Sequence, residues 1–161
     1  MLMKLPGAVL AIAALLIMSS CGEQPAEAPE VTATPATTEP VALPRTASAP
    51  GASVFFIAPA DGATVSSPVS IEFGIEGMTV APAGVNDAHS GHHHLLVDTG
   101  LPDLGLPIPA DTFHIHFGDG STTTTLNLQA GEHTLQMLLG DHLHIPHSPP
   151  VASEVITITV E

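Results

Sequence analysis

The pattern that decides the fold lies in residues 68–76, which read Pro-Val-Ser-Ile-Glu-Phe-Gly-Ile-Glu. Apolar side chains at Val69, Ile71, Phe73 and Ile75 alternate with small or acidic ones. Because successive side chains of a β-strand point to opposite faces, this period of two predicts a half-buried strand. No segment from residue 53 onward carries a convincing helical period, so the alternation sets the fold class.

Short β-branched or aromatic runs of the same kind recur through residues 51–161, separated by Pro, Gly and Asp. We predict seven strands, at residues 53–58, 68–76, 92–98, 113–117, 121–128, 133–139 and 152–160. About seven short strands in one domain favour an all-β fold, an immunoglobulin-like antiparallel β-sandwich. The likeness is one of architecture only, because the chain has no tryptophan and a single cysteine.

The first 20 residues are predicted to be a lipoprotein signal peptide. Lys4 precedes an apolar run at residues 7–18, about half the roughly 20 residues that a membrane-spanning helix needs. The run ends in Ile-Met-Ser-Ser followed by Cys21. This resembles the lipobox of bacterial lipoproteins, in which the cysteine is acylated, and so implies a cell-envelope protein held to a membrane through lipid on Cys21.

Residues 21–50 are predicted to be a lipidated cysteine followed by a disordered linker. The segment is rich in Pro, Ala, Thr and Glu and has no aromatic residue, so it cannot bury enough apolar surface to order itself. Gly22, rather than Asp, follows the cysteine, as in lipoproteins sorted to the outer membrane. We therefore expect the domain to face the periplasm; an uncleaved signal anchor with an incidental cysteine is the alternative.

The charge of residues 51–161 excludes several classes of partner. Twelve of the 16 acidic side chains and all ten histidines lie there, with no Lys or Arg. A nucleic-acid-binding protein needs a basic face for the phosphates, which these residues cannot build. Anionic lipid headgroups and phosphorylated substrates are disfavoured for the same reason, so cations are the expected partners.

The histidines fall into three clusters, two of which have the form His-x-His in a predicted strand. His92 and His94 share one side of their strand, with His93 on the other. In the strand at 113–117, the two histidines lie together on the face opposite Phe113, Ile115 and Phe117. The third cluster lies in the loop at 141–150. The candidate metal ligands are His92, His94, His114, His116, His144 and His147.

The spacing of these histidines points to a transition metal. Two imidazoles at positions i and i+2 of a strand lie roughly 6.5–7 Å apart at Cα, and each reaches a metal at about 2 Å. Imidazole suits copper and zinc, the two ions we expect, and binding should weaken in acid. No organic cofactor is expected.

His93 and His133 are explained equally well as structural residues and as metal ligands. Met137, in phase with Leu135 and Leu139, is predicted to be a core residue.

Residues 54–160 resemble an uncharacterised family of bacterial periplasmic domains, domain of unknown function family 4399. The resemblance rests on six stretches, at residues 91–98, 107–110, 116–118, 131–136, 139–141 and 144–147. The family has no established activity, so the resemblance marks the same histidine blocks and implies no mechanism.

Residues 113–119 are also similar to the copper-binding strand of copper/zinc superoxide dismutases. The cysteine pair, zinc loop and catalytic arginine of those enzymes are missing from residues 51–161, so we expect no dismutase activity and no enzyme.

Two alternatives to metal binding remain. The domain is either a structural module that recruits an envelope protein, or a pH-responsive domain in which ten histidines titrate among twelve carboxylates.

Overall fold

The computed structural model describes residues 43–161. The predicted signal peptide, the lipidation site Cys21 and most of the predicted linker lie outside the described residues. The strands are β1 (Ser53–Ala58), β2 (Thr64–Val65), β3 (Val69–Glu76), β4 (Thr79–Val80), β5 (Ser90–Val97), β6 (His114–His116), β7 (Thr123–Leu126), β8 (Gly131–Gly140) and β9 (Ile156–Val160). Within residues 43–161, no helix has the length and apolar character needed to cross a membrane.

The strands form two sheets, which confirms the predicted all-β sandwich. One sheet has the order β1-β3-β7; the other has the order β2-β9-β8-β5-β4, with β6 also paired to β5. The structure adds two strands to the predicted seven. These are β2 and β4, which pair in parallel with β9 and β5. Each is two residues long, too short to show the alternation from which a strand is recognised in a sequence.

The main core lies between the two sheets and follows the alternation of β3. Val69, Ile71 and Phe73 are at most 1% exposed, whereas the intervening Ser70 and Glu72 face solvent. From β8 of the opposing sheet, the core receives Leu135, Met137 and Leu139, all fully buried. The prediction that Met137 is a core residue is confirmed.

Strand β5 is buried along its whole length, because both of its faces are covered. Leu95 and Val97 point into the main core. On the opposite face Leu96 packs with Leu138 and with Ile108, which comes from the long connection between β5 and β6. This second face, covered by an irregular segment rather than by a sheet, is where His92 and His94 lie.

One facing prediction for the segment 113–117 is wrong. Phe117 is buried and its ring lies 4.9 Å from that of Phe73, and Ile115 packs against the core, but Phe113 is 51% exposed. The reason is that β6 begins only at His114. Phe113 belongs to the preceding turn, where its N–H donates to the Asp111 carboxylate at 2.9 Å.

Candidate metal centre

The first two imidazoles of the candidate site come from alternate positions of β5. His92 is fully buried and His94 is 1% exposed, and their ring centroids are 4.8 Å apart. His93, between them, points into the main core, where its ring lies 4.7 Å from that of Phe73. The period of two therefore divides this His-His-His run between two layers of the protein.

The third imidazole is brought in by the pairing of β6 with β5. The antiparallel register sets His116 opposite His94, so that the two rings are 5.0 Å apart, and the His116 ring is 4.9 Å from that of His92. One ligand atom from each of these three histidines lies within 4.8 Å of the others. Two nitrogens on one tetrahedral zinc ion are about 3.3 Å apart, so a small inward movement of the rings would close the triad on an ion.

A fourth imidazole reaches the triad from the loop that follows β8. The His144 ring lies 4.9 Å from that of His92, 4.7 Å from that of His116 and 6.0 Å from that of His94. Its backbone has a φ of 66°, a left-handed conformation that is uncommon outside glycine. Such a conformation persists only where the surroundings impose it, and here the loop is held from several sides.

Asp141 organises this loop. One of its carboxylate oxygens accepts the N–H groups of Leu143 at 2.8 Å and Ile145 at 3.0 Å, while the other accepts the Thr46 hydroxyl at 2.6 Å. Burial raises the pKa of this carboxyl, but these hydrogen bonds outweigh it, so that the pKa lies below its usual value. Asp141 therefore stays ionised and holds the turn that presents His144.

Residues 43–50, predicted to be the end of the linker, lie along the fold and brace the same loop. Arg45 donates to the backbone carbonyls of Pro146 at 2.9 Å and of His147, and Ala47 forms a parallel bridge with Ser148. The composition of the segment predicted disorder for residues 43–50. That prediction is wrong, because composition does not report hydrogen bonds with residues distant in the chain. The one Lys or Arg side chain in residues 43–161 is thus used to hold the loop.

Two glycines make room for the rings. A Cβ on Gly140 would stand 2.7 Å from Cε1 of His94, and a Cβ on Gly118 would overlap the His116 ring. Real Cβ atoms do not approach so closely, so the two imidazoles occupy space that any other residue at these positions would fill.

Several nitrogens at the site are buried without a partner. Both ring nitrogens of His92, and Nδ1 of His94, have no hydrogen-bond partner among residues 43–161. A buried polar atom left unsatisfied costs about 1–3 kcal/mol. A metal ion bound to one nitrogen of each ring would compensate part of this cost, so the residues fit a metal ion.

The electrostatics keep the buried imidazoles in the form that binds metal. Burial, together with the neighbouring histidines, lowers the pKa of His92 to about 4 and that of His94 to about 2. Burial also lowers the pKa of His116. Two carboxylates act in the opposite direction: Asp141 raises the pKa of His92, and Asp119 raises the pKa of His116, but by less than burial lowers them. At neutral pH these rings are neutral, which is the ligand form.

The structure brings together four of the six candidate ligands, and places the other two elsewhere. His114 lies opposite Leu96, two residue pairs further along the strands than His116, and its Nδ1 donates to the Asp111 carboxylate at 2.8 Å. His147 is buried, with Nε2 donating to the Ser90 carbonyl at 3.1 Å. The His114 ring thus binds a carboxylate and the His147 ring a backbone carbonyl, and neither contacts the four clustered rings.

His133 is a structural residue, one of the two interpretations that the sequence left open. Its Nδ1 donates to the Asp98 carboxylate at 2.7 Å and its Nε2 to the Gln129 carbonyl at 2.9 Å. These two hydrogen bonds raise its pKa. His93 makes no such bond: both of its nitrogens are buried without a partner among the described residues.

The metal-free protein is expected to lose stability in acid. Burial lowers the pKa of His92 and of His93 to about 4, and that of His94 to about 2, from 6.5 in the unfolded chain. Below pH 6.5 the unfolded state binds more protons than the folded state. The contribution of these neutral histidines to the free energy of unfolding is therefore complete above pH 6.5 and is lost as the pH falls toward 4. Each histidine contributes at most about 1.4 kcal/mol per pH unit; His133, with its raised pKa, opposes this by losing stabilisation only as the pH rises.

Urea unfolding in the presence of a chelator, at pH values from 7.5 to 4.5, measures this effect. The variant His89→Ala changes an exposed ring and should show the same change of stability with pH as the natural chain, offset by a constant amount because the backbone at His89 has a φ of 54°. A free energy of unfolding that stays constant between pH 7 and 5 would contradict the burial of neutral imidazoles.

The fold and the site define a class: an all-β sandwich domain whose histidine cluster could hold a metal ion. The family model described as Domain of unknown function (DUF4399) matches residues 71–161, more than half of the chain. The chain therefore belongs to this family, and the matched region includes all four clustered histidines. No curated protein and no solved structure matches the chain.

Proposed function

We propose that this protein is a metal-binding lipoprotein of the cell envelope that holds one copper or zinc ion. The ligands are His92, His94 and His116, with His144 as the fourth imidazole. The observation that carries the proposal is the convergence of four imidazole rings from two strands and one loop. Two of these rings, His92 and His94, have buried nitrogens without a partner among the described residues.

The donor set supports copper and zinc over other ions. All four donors are imidazoles, which suit both ions, whereas calcium and magnesium prefer oxygen. The only cysteine, Cys21, is the proposed lipidation site, and Met137 is fully buried in the main core. At a site of nitrogen donors, copper(II) usually binds more tightly than zinc.

The location is inferred from the N-terminal sequence. We propose that Cys21 is acylated and attaches the chain to the outer membrane, with the domain in the periplasm and no enzymatic activity of its own. Incorporation of a radioactive fatty acid that disappears in Cys21→Ser would support the anchor, and equal labelling of both chains would contradict it.

A structural or protein-interaction module remains the second candidate. The observation in its favour is that His133 and His147 use their ring nitrogens to bind backbone carbonyls. Under this alternative the protein would fold normally and bind no metal tightly.

Titration of the full chain with copper(II) and zinc, purified without a histidine tag, separates the two candidates. We expect one ion per chain with a dissociation constant below micromolar. His116→Ala should weaken binding by about 100-fold or more, because even the loss of a group that only supports a ligand costs 10–100-fold. His114→Ala, on the same three-residue strand, should bind as the natural chain does.

Weak, non-saturating binding by the natural chain would contradict the proposal. Equal losses in the two variants would instead place the metal outside the cluster. His116 is exposed, so a folding defect is not the expected cause of the loss, and circular dichroism of both variants checks this.

A further inference from the structure

The histidine cluster opens into a cavity. This cavity has a volume of about 270 Å³ and is bounded on one side by the rings of His94, His116 and His144. Its other wall is the segment 107–110, Pro-Ile-Pro-Ala, from the connection between β5 and β6. An ion held by the triad would therefore have, beside it, a space that the protein itself leaves unfilled.

The lining of the cavity restricts what could enter. Apart from the three imidazoles, the wall is apolar, with no charged side chain among the residues that bound it. A ligand would thus be fixed by the metal at one end and by apolar contact elsewhere. An engineered apolar cavity of about 150 Å³ accepts benzene, so the present volume suits a molecule of about one substituted ring.

The surrounding charge disfavours an anion. The carboxylates of Asp141 and Asp119 lie near enough to act on His92 and His116, so the nearby side-chain charge is negative. The only Lys or Arg side chain in residues 43–161, Arg45, is bound to the carbonyls of Pro146 and His147. No other Lys or Arg side chain in residues 43–161 is available to hold the remaining atoms of an anionic ligand.

We propose that the cavity is a binding site for a small molecule with a neutral nitrogen or sulfur donor and a compact apolar body, which coordinates the bound metal. This inference rests on the proposed function. With His144 as the fourth imidazole, the entering donor either displaces His144 or makes the ion five-coordinate, as zinc sites can become, and neither requires the loss of the triad.

The test uses the full chain loaded with cobalt(II), whose visible spectrum reports its ligands, and two probes: 4-methylimidazole as a neutral donor and azide as an anion. We expect a saturable spectral change with 4-methylimidazole, and binding of azide at least tenfold weaker. Gel filtration after the titration checks that the metal stays on the protein.

Ala110→Phe is the decisive variant, because Ala110 is exposed and lines the cavity. It should leave cobalt affinity unchanged and weaken 4-methylimidazole binding at least tenfold. Ala130→Phe, an exposed position before the opposite end of β8, should behave as the natural chain does.

The outcomes distinguish this inference from the proposed function. If no cobalt, copper or zinc binds, the proposed function fails, and the inference with it. If metal binds but 4-methylimidazole leaves the spectrum unchanged, strips the metal, or binds Ala110→Phe equally well, the ligand site is overturned alone. Azide binding as tight as that of 4-methylimidazole would overturn its neutral character.

Discussion

His92→Leu is expected to abolish tight metal binding and, at the same time, to stabilise the metal-free protein. His92 is fully buried and both of its ring nitrogens lack a hydrogen-bond partner among the described residues. Replacing such a group by an apolar side chain of similar size removes a desolvation cost, so the free energy of unfolding should rise by about 1–2 kcal/mol at pH 7.5. Loss of a ligand should weaken copper or zinc binding by about 100-fold or more.

His93→Leu is the matched control, since it changes the next residue of the same strand. Its ring is also buried without a partner, but it lies against Phe73 on the opposite face of the sheet. The variant should gain similar stability and keep the natural metal affinity. Urea unfolding with a chelator present and competition against a chromophoric chelator measure the two quantities.

The two leucine variants can contradict the site in different ways. Destabilisation of His92→Leu by more than about 1 kcal/mol would show that the ring makes a favourable interaction in the metal-free state. A tenfold loss of metal affinity in His93→Leu would contradict the placement of His92 and His93 on opposite faces of β5, one at the metal site and the other in the core.

Gly140→Ala is expected to impair both the fold and the metal site. The added Cβ would stand 2.7 Å from Cε1 of His94 and 3.3 Å from Cδ1 of Ile108. His94 is 1% exposed and Ile108 is 6% exposed, so neither can move outward freely. Overpacking of this kind costs about 1–3 kcal/mol, and displacement of the His94 ring should weaken metal binding at least tenfold.

Gly118→Ala provides a comparison in which the two effects separate. Its Cβ would overlap the ring of His116, but this ring is exposed and can rotate away. Metal affinity should therefore fall about tenfold while the free energy of unfolding changes by less than about 0.5 kcal/mol. Thermal unfolding without metal and calorimetric titration with metal measure the pair.

Gly100→Ala is the control for both glycine variants. A Cβ at this position meets nothing within 4 Å, so stability and metal affinity should match those of the natural chain. If Gly140→Ala behaved like this control, the result would contradict the close packing of the His94 ring against Gly140 of β8.

The sequence was informative where side chains alternate within one strand. The period of two in residues 68–76 predicted which side chains enter the core, and the same rule separated His93 from His92 and His94. It also predicted that His114 and His116 share a face. It could not show that only one of those two reaches the cluster, because that depends on where β6 meets β5.

The contributions to the site that were missed all come from contacts between distant segments. The sequence did not predict a role in the site for Gly118 and Gly140, because that role is to leave space for His116 and His94. Arg45 was assigned to a disordered linker by composition, although its partners are two carbonyls in the loop that carries His144. No local pattern in the sequence encodes such pairings.

By itself, the sequence determined the fold class, the absence of a basic surface in residues 51–161, and the supply of imidazoles on strands. These properties follow from periodicity and composition, which depend only on residues that are close together in the sequence. Only the tertiary structure decided that His92, His94, His116 and His144 converge while His114 and His147 do not. That selection depends on strand register and loop packing, which are settled by long-range contacts when the two sheets and the segments around them come together.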